Sequence, residues 1–164
     1  MNALVPRLCA LLGLLCILQG CAPKTTALAA TNRGLGLGRY HYAGKWQFVH
    51  HMADGRWNGS SARSFGVGSS VSVAFSGDRV RVYGVLGRKG GYGMLTIDRR
   101  VRNARLNFYA PAKRTSALVY SSPPLGPGDH ALAIVVAGSH DRRSRGTYVN
   151  LDGVEVENTK PAVP

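Results

Sequence analysis

The basic side chains most suited to chemistry fall in three short segments. Arg88 and Lys89 form the first, Lys113 and Arg114 the second, and His140, Arg142, Arg143 and Arg145 the third, with Tyr92 and Tyr109 flanking them. A guanidinium fork grips a carboxylate or phosphate through two parallel hydrogen bonds, and a tyrosine ring can stack on the C–H face of a sugar. Brought together, these residues would hold a carboxylated, phosphorylated or sulfated sugar. Left apart, they are a solvated loop rim and the tyrosines are cross-strand packing. Trp57, in the polar loop HHMADGRWNGSS, is a second candidate sugar platform, or else packs under the domain. His51 and Asp54 lie near it, but two ligands without a third do not make a metal site. The acidic residues are single and dispersed, so no calcium cluster is visible. No metal or other cofactor is expected.

Hydrolase residue types occur as Asp129-His130, His140-Asp141, Ser60 and Ser61. None sits in a nucleophile turn such as G-x-S-x-G. With 8 acidic residues in all, a paired-carboxylate glycosidase is not expected either. The expectation is a protein that binds and does not catalyse.

The 21 Lys and Arg against 8 Asp and Glu give a formal net charge of +13. Such a balance suits an anionic neighbour: lipopolysaccharide, acidic polysaccharide, phospholipid headgroups or nucleic acid. The arginines are scattered as well as clustered, so an arginine-rich genome would produce the same excess.

These segments need elements to position them. From Ser70 to Asp98 the chain reads as a meander of three strands, VSVAF, RVRVY and YGMLTID. Alternation of period two, bounded by the Ser76-Gly77-Asp78 turn and the Gly87–Gly91 loop, signals half-buried antiparallel strands. Val71, Val73, Phe75, Val80, Val82, Leu95 and Ile97 are the predicted core. Before it, KWQFV puts Trp46 and Phe48 on one face, and SARSFG is a weak strand. After it come ARLNFY (104–109), SALVYS (116–121) and HALAIVVA (130–137), the last placed mid-sheet by its hydrophobicity. TYVNLDGVEVE reads as two strands around the hairpin dipeptide Asp152-Gly153. About ten short strands with regular turns predict an all-β sandwich.

Several segments in order carry a resemblance: Trp57 before a Ser/Gly stretch, VSVAFSGDRVRVYG, a Gly-rich loop before TID, LGPGDHALAIVV and YVNLDGVEV. Over about residues 44–157 this resembles the galactose-binding-like jelly roll of carbohydrate-binding modules and of the sandwich domain beside some carbohydrate esterases. The resemblance implies a fold more than a ligand, since F-x-G-x-x-V-x-V-Y-G and L-x-x-G-x-H-x-L are turn and core positions. It also assigns Asp129-His130 to a structural turn. The family's I-D-G is Ile97-Asp98-Arg99 here, which leaves that turn open.

If each strand reverses direction, the connections alternate between two ends. Loops 86–91, 110–115 and 138–146 then share one end. The turns at 76–78, 98–103 and 122–129, with the His51–Trp57 loop, share the other.

The N-terminus is separate. Arg7, the apolar run Leu8 to Leu18 and Leu18-Gln19-Gly20-Cys21 resemble a bacterial lipoprotein signal, which implies cleavage before Cys21 and its lipidation. The apolar run is too short to span a bilayer comfortably. Ala22 after the cysteine implies the outer membrane. All three cysteines lie in this segment, so the domain has no disulfide and must be held by burial alone, which about 120 residues can manage. The expected division is a signal peptide (1–20), a lipidated flexible tether (21–39), the sandwich (40–158) and a tail (159–164). The GLGLG of the tether lacks the flanking strand and helix of a phosphate loop.

The expected function is a lipid-anchored envelope module that binds carbohydrate, with a tilt toward anionic glycans. A structural or assembly lipoprotein that contacts an envelope protein is the first alternative, and an accessory domain of a carbohydrate-esterase system the second. An envelope location argues against nucleic acid.

Overall fold

The computed structural model describes residues 23–50, 53, 59–98 and 101–158, with residues 101–103 described by their backbone alone. The signal segment, Cys21, His51, Asp54, Trp57 and the tail lie outside them. Among the described residues eleven strands form two antiparallel sheets. They are β1 (Lys24–Ala29), β2 (Tyr40–Ala43), β3 (Gln47–Val49), β4 (Ser61–Ser64), β5 (Ser70–Ser76), β6 (Arg79–Leu86), β7 (Tyr92–Ile97), β8 (Val101–Asn107), β9 (Arg114–Ser121), β10 (Asp129–Val136) and β11 (Val149–Asn158). One sheet runs β3-β4-β11-β6-β9, with β1 also on β11; the other runs β2-β5-β10-β7-β8.

The core lies between the sheets. All seven core residues predicted from the central stretch are at most 2% exposed. From the first sheet Val80, Val82, Leu151, Val154 and Val156 meet Val71, Val73, Phe75, Leu95, Ile97, Leu132 and Ile134 from the second. Strand β10 is central, between β5 and β7, as its hydrophobicity predicts. Trp46 and Phe48 share a face, and both rings pack edge-on against Tyr42 at 5.0 Å.

Three expectations are corrected. The central stretch is not a meander: β5 and β7 flank β10 in one sheet while β6 lies in the other. Each strand presents an apolar face to the shared core, so alternation cannot tell which sheet it joins. The tether is not flexible from Lys24 on. Strand β1 pairs along β11 from Lys24↔Asn158 to Ala29↔Gly153, Ala30 is fully buried, and the Tyr40 hydroxyl donates to the Leu28 carbonyl at 2.8 Å. The pair Asp152-Gly153 makes no hairpin. It is a bulge inside the single strand β11, where the register on β6 shifts. The extra residue reverses the inward parity, from Val149 and Leu151 to Val154 and Val156.

The bulge is tied down from β9. Asp152 is fully buried, and its Oδ2 accepts the Ser116 N–H at 2.8 Å, with Ser116 at φ 47°. Asp152→Ala removes the acceptor of this half-buried amide, so a loss of about 1–3 kcal/mol is expected in urea unfolding. A loss under about 0.5 kcal/mol would contradict this role.

Candidate functional site

Backbone hydrogen bonds lace the basic loops together at one end. Gly87 N–H donates to Phe108 O (3.0 Å), Tyr148 N–H to Lys89 O (3.0 Å), Gly91 N–H to Tyr148 O (2.7 Å) and Arg145 N–H to Arg88 O (2.8 Å). The loop at 86–91 therefore touches both the end of β8 and the entry to β11. At the far end Gly77 N–H donates to Gly128 O (3.0 Å) and Leu125 N–H to Asp78 O (2.8 Å). Counting reversals placed these loops at the same two ends.

Part of the outer rim of the basic end is engaged by its own neighbours. The Arg143 fork grips Asp141 in two places, Nε to Oδ1 at 2.9 Å and Nη2 to Oδ2 at 3.1 Å. The same guanidinium lies 5.0 Å over the Tyr109 ring, and Arg105 lies 4.7 Å over Tyr92. His140 Nδ1 bonds the Asp141 carbonyl at 2.8 Å, and Arg88 Nε donates to Pro111 O at 2.8 Å. Arg142 is exposed. Of the predicted ligand residues, Arg143 is thus bound to an internal carboxylate, and each tyrosine has one face covered by a guanidinium.

This rim has a pH signature. The side-chain hydrogen bond from Arg143, and then its backbone N–H, hold the Asp141 carboxyl far below the usual carboxylate range. A depressed folded value means the pair's contribution is complete above the ordinary value of about 3.9 and is lost only as pH falls through the depressed one. The Asp141 carboxyl carbon should show no NMR titration between about pH 5 and pH 3, and its titration should move to higher pH in Arg143→Ala, which keeps only the backbone N–H of residue 143 on the carboxylate. Titration of the wild-type group near 3.9 would show that the fork is not closed.

Beside this rim, on the outer face of the first sheet, is an open cleft of about 560 Å³. Arg63, Arg88, Lys89 and Lys113 line it with Tyr148 and Asn150, and among the described residues no carboxylate does. Arg63 on β4 sits opposite Asn150 on β11 in register. Its Nε donates to Gln47 Oε1 at 3.1 Å, and its guanidinium lies 5.7 Å from the Tyr148 ring centre. Phe65, 53% exposed, meets Tyr148 edge-on at 5.2 Å and extends an aromatic step from the cleft. Asn150 Oδ1 is buried with no hydrogen-bond partner among the described residues.

No protein-family model matches the chain, and no curated protein matches it in sequence. Solved structures do match in shape. A two-domain esterase active on acetylated mannans, co-crystallised with mannopentaose, superposes with a TM-score of 0.60 at 13% identity, over 85% of this chain and 38% of that one. A family two carbohydrate esterase from Cellvibrio japonicus gives 0.50 at 18% identity, over 87% and 37%. The GH26-CBM35 β-(1,4)-mannanase of Podospora anserina gives 0.50 at 14% identity, over 87% and 29%. The chain thus spans less than two fifths of these larger proteins. At such identities the likeness is one of fold. The fold is a galactose-binding-like jelly roll.

In this jelly roll, Arg88 and Lys89 are the residues predicted from sequence that reach the cleft, with Lys113 from the second basic segment. Arg63, Tyr148 and Asn150 were not anticipated. Their signal was weak: polar or aromatic residues at outward positions of β4 and β11 or, for Tyr148, just before β11, in strands read only for their core faces. Trp57 lies outside the described residues.

The far end of the jelly roll holds the Asp–His pair. His130 Nδ1 bonds Asp98 Oδ2 at 2.5 Å, and Nε2 bonds Gly126 O at 2.9 Å. Both ring nitrogens are thus engaged by protein oxygens. Asp98 Oδ1 also accepts the Ala131 N–H at 2.7 Å, and Asp98 itself takes the left-handed conformation (φ 48°). In Ile97-Asp98-Arg99 the aspartate thus carries a positive φ and its carboxylate is tied to β10, while Arg99 lies outside the described residues. Among the described residues no three His, Cys, Asp or Glu gather closely enough to hold a metal ion.

Proposed function

We propose that this chain is an exported envelope lipoprotein, held by a lipid on Cys21 at the outer membrane, whose jelly roll binds carbohydrate without catalysis and prefers anionic glycans. The observation that carries the reading is the cleft: around about 560 Å³ the described residues place four cationic side chains, an aromatic ring and no carboxylate. A sugar ring would rest against Tyr148 while its carboxylate, sulfate or phosphate meets Arg63, Arg88, Lys89 and Lys113. The spent Arg143 fork moves the site from the rim to the sheet face. The engaged ring of His130 supports a binding role over a hydrolytic one. That the chain's fold neighbours include enzymes named for carbohydrate substrates supports the ligand class.

A glycan array tests this. Discrete hits among acidic oligosaccharides, lost in Arg63→Ala with Lys89→Ala, are expected. A blank array, with one stoichiometric envelope protein recovered by pull-down, would favour the assembly reading. The anchor is tested apart from the ligand, by the mass of the mature chain: an acylated Cys21 at its N-terminus is expected, and a free thiol there would remove the lipoprotein reading.

A further inference from the structure

Residues 23–50 build one lateral edge of the sandwich. Strands β1 and β3 lie along the edge of one sheet and β2 along the edge of the other. This segment holds Lys24, Arg33, Arg39 and Lys45 and no acidic residue. The outward part of β1, from Lys24 to Ala27, is exposed. Between β1 and β2 the 33–39 loop presents Leu35 at 88% and Leu37 at 56% exposure.

The loop is built, not frayed. Gly34, Gly36 and Gly38 take positive φ values of 141°, 97° and 72°, which residues with a Cβ rarely adopt, and they alternate with the two leucines. Gly38 N–H donates to Ala74 O at 2.8 Å and Gly34 N–H to Tyr40 O at 3.1 Å. Asn32 Nδ2 donates to Gly38 O at 3.1 Å, and Arg39 donates to the Asn32 side chain. The backbone is fixed while two large apolar side chains stand in solvent, with Arg33 and Arg39 exposed on either side.

The chain outside the structure ends at this edge. Residues 1–22 carry the apolar run and Cys21, and β1 begins at Lys24. An anchor at Cys21 leaves two residues, Ala22 and Pro23, before the first paired strand. From Cys21 to Lys24 that is three Cα steps, about 10 Å of extended chain. An anchored module cannot turn this edge far from the bilayer.

We propose that this edge is a membrane-seating surface: Leu35 and Leu37 insert at the boundary of headgroups and acyl chains, and Lys24, Arg33 and Arg39 meet anionic headgroups. The proposal rests on the reading that the chain is anchored at Cys21. It gives the GLGLG stretch a role and leaves the loop at 86–91, at the far end of β11 from Lys24, clear of the bilayer. The cleft then reads a polymer beyond the headgroups of its own membrane.

The test uses the full chain as purified from membranes and reconstituted into phosphatidylglycerol–phosphatidylcholine vesicles with brominated acyl chains. Leu35→Trp and Lys89→Trp are compared with the wild type, whose own tryptophans set the background. Both positions are exposed, so both variants should fold. Leu35→Trp should add a fluorescence component quenched at least twofold by the bromines, and Lys89→Trp should add one that is not. An unquenched Leu35→Trp on vesicle-bound protein overturns the seating, as does equal quenching at both positions, failure to bind vesicles, or a dimer closed through this edge. The mass of Cys21 on the same preparation separates the two readings. Acylated chain without quenching removes the seating alone, and quenching without acylation removes the lipid anchor alone.

Discussion

Gly90→Ala is expected to cost at least about 3 kcal/mol in urea unfolding, at or beyond the upper end of overpacking effects. A Cβ at Gly90 would lie 1.8 Å from the Phe108 carbonyl oxygen and 2.6 Å from the Tyr109 nitrogen. Both are backbone atoms, so no rotamer change relieves the clash. Phe108 cannot retreat, because its side chain is fully buried in the core. The neighbouring Gly91 is as tightly held, with a Cβ there 2.5 Å from the Thr147 backbone. Close packing of three backbone segments is what brings loop 86–91, the end of β8 and the entry to β11 to one place. Gly87→Ala is the control. It lies in the same loop, has nothing within 4 Å of its Cβ, and should stay within about 0.5 kcal/mol of wild type. If the two substitutions cost the same, the loops are not laced as described.

The second large effect concerns ligand. Arg63→Ala combined with Lys89→Ala should weaken an acidic oligosaccharide by at least about 100-fold. Each charge-assisted hydrogen bond contributes roughly 1.5–3 kcal/mol, and about 1.4 kcal/mol is tenfold in affinity. Fold should survive, since Lys89 is exposed and Arg63 gives up one surface bond to Gln47. Arg142→Ala, on the rim, should change affinity by less than about threefold, within the range of peripheral contacts. Isothermal titration calorimetry distinguishes them. A rim variant that loses more affinity than the cleft pair would return the site to loop 138–146.

The contrast between rim and cleft shows how far residue types alone can carry the reading. Strand reversal was enough to bring Arg88, Lys89, Lys113 and Arg143 to one end. It could not show that Arg143 spends its fork on Asp141, because a carboxylate two residues away can as well face solvent. Nor could it find Arg63, Tyr148 and Asn150. Their neighbourhood comes from the pairing of β4 on β11, and strand partners are not written in a single strand's alternation. The same limit turned β5, β6 and β7 into an apparent meander. Alternation of apolar residues did mark Val71 through Ile97 as core, since burial depends on which face a side chain takes and not on which sheet the strand joins.

The N-terminal edge was lost for a different reason. Lys24–Ala29 has no apolar alternation, because its outward residues are exposed and only Leu28 and Ala29 are partly covered. It is a strand through backbone pairing with β11, to which side-chain pattern is blind. In β11 the parity change at Asp152 had two meanings, a turn or a bulge. The partners on both sides decide for the bulge: Val154 pairs with Val82 of β6 and with Leu28 of β1, and a hairpin would have needed the chain to fold back on itself.

The most direct test of the proposed function is calorimetric titration of the purified chain with an oligogalacturonate and with the same oligomer after reduction of its carboxyl groups. Saturable one-site binding of the acidic oligomer, weakened at least about tenfold by carboxyl reduction and lost in the Arg63→Ala, Lys89→Ala pair, is the predicted result. Equal binding of the two oligomers would remove the anionic preference. Acidic binding that the double substitution leaves unchanged would contradict the cleft as the site.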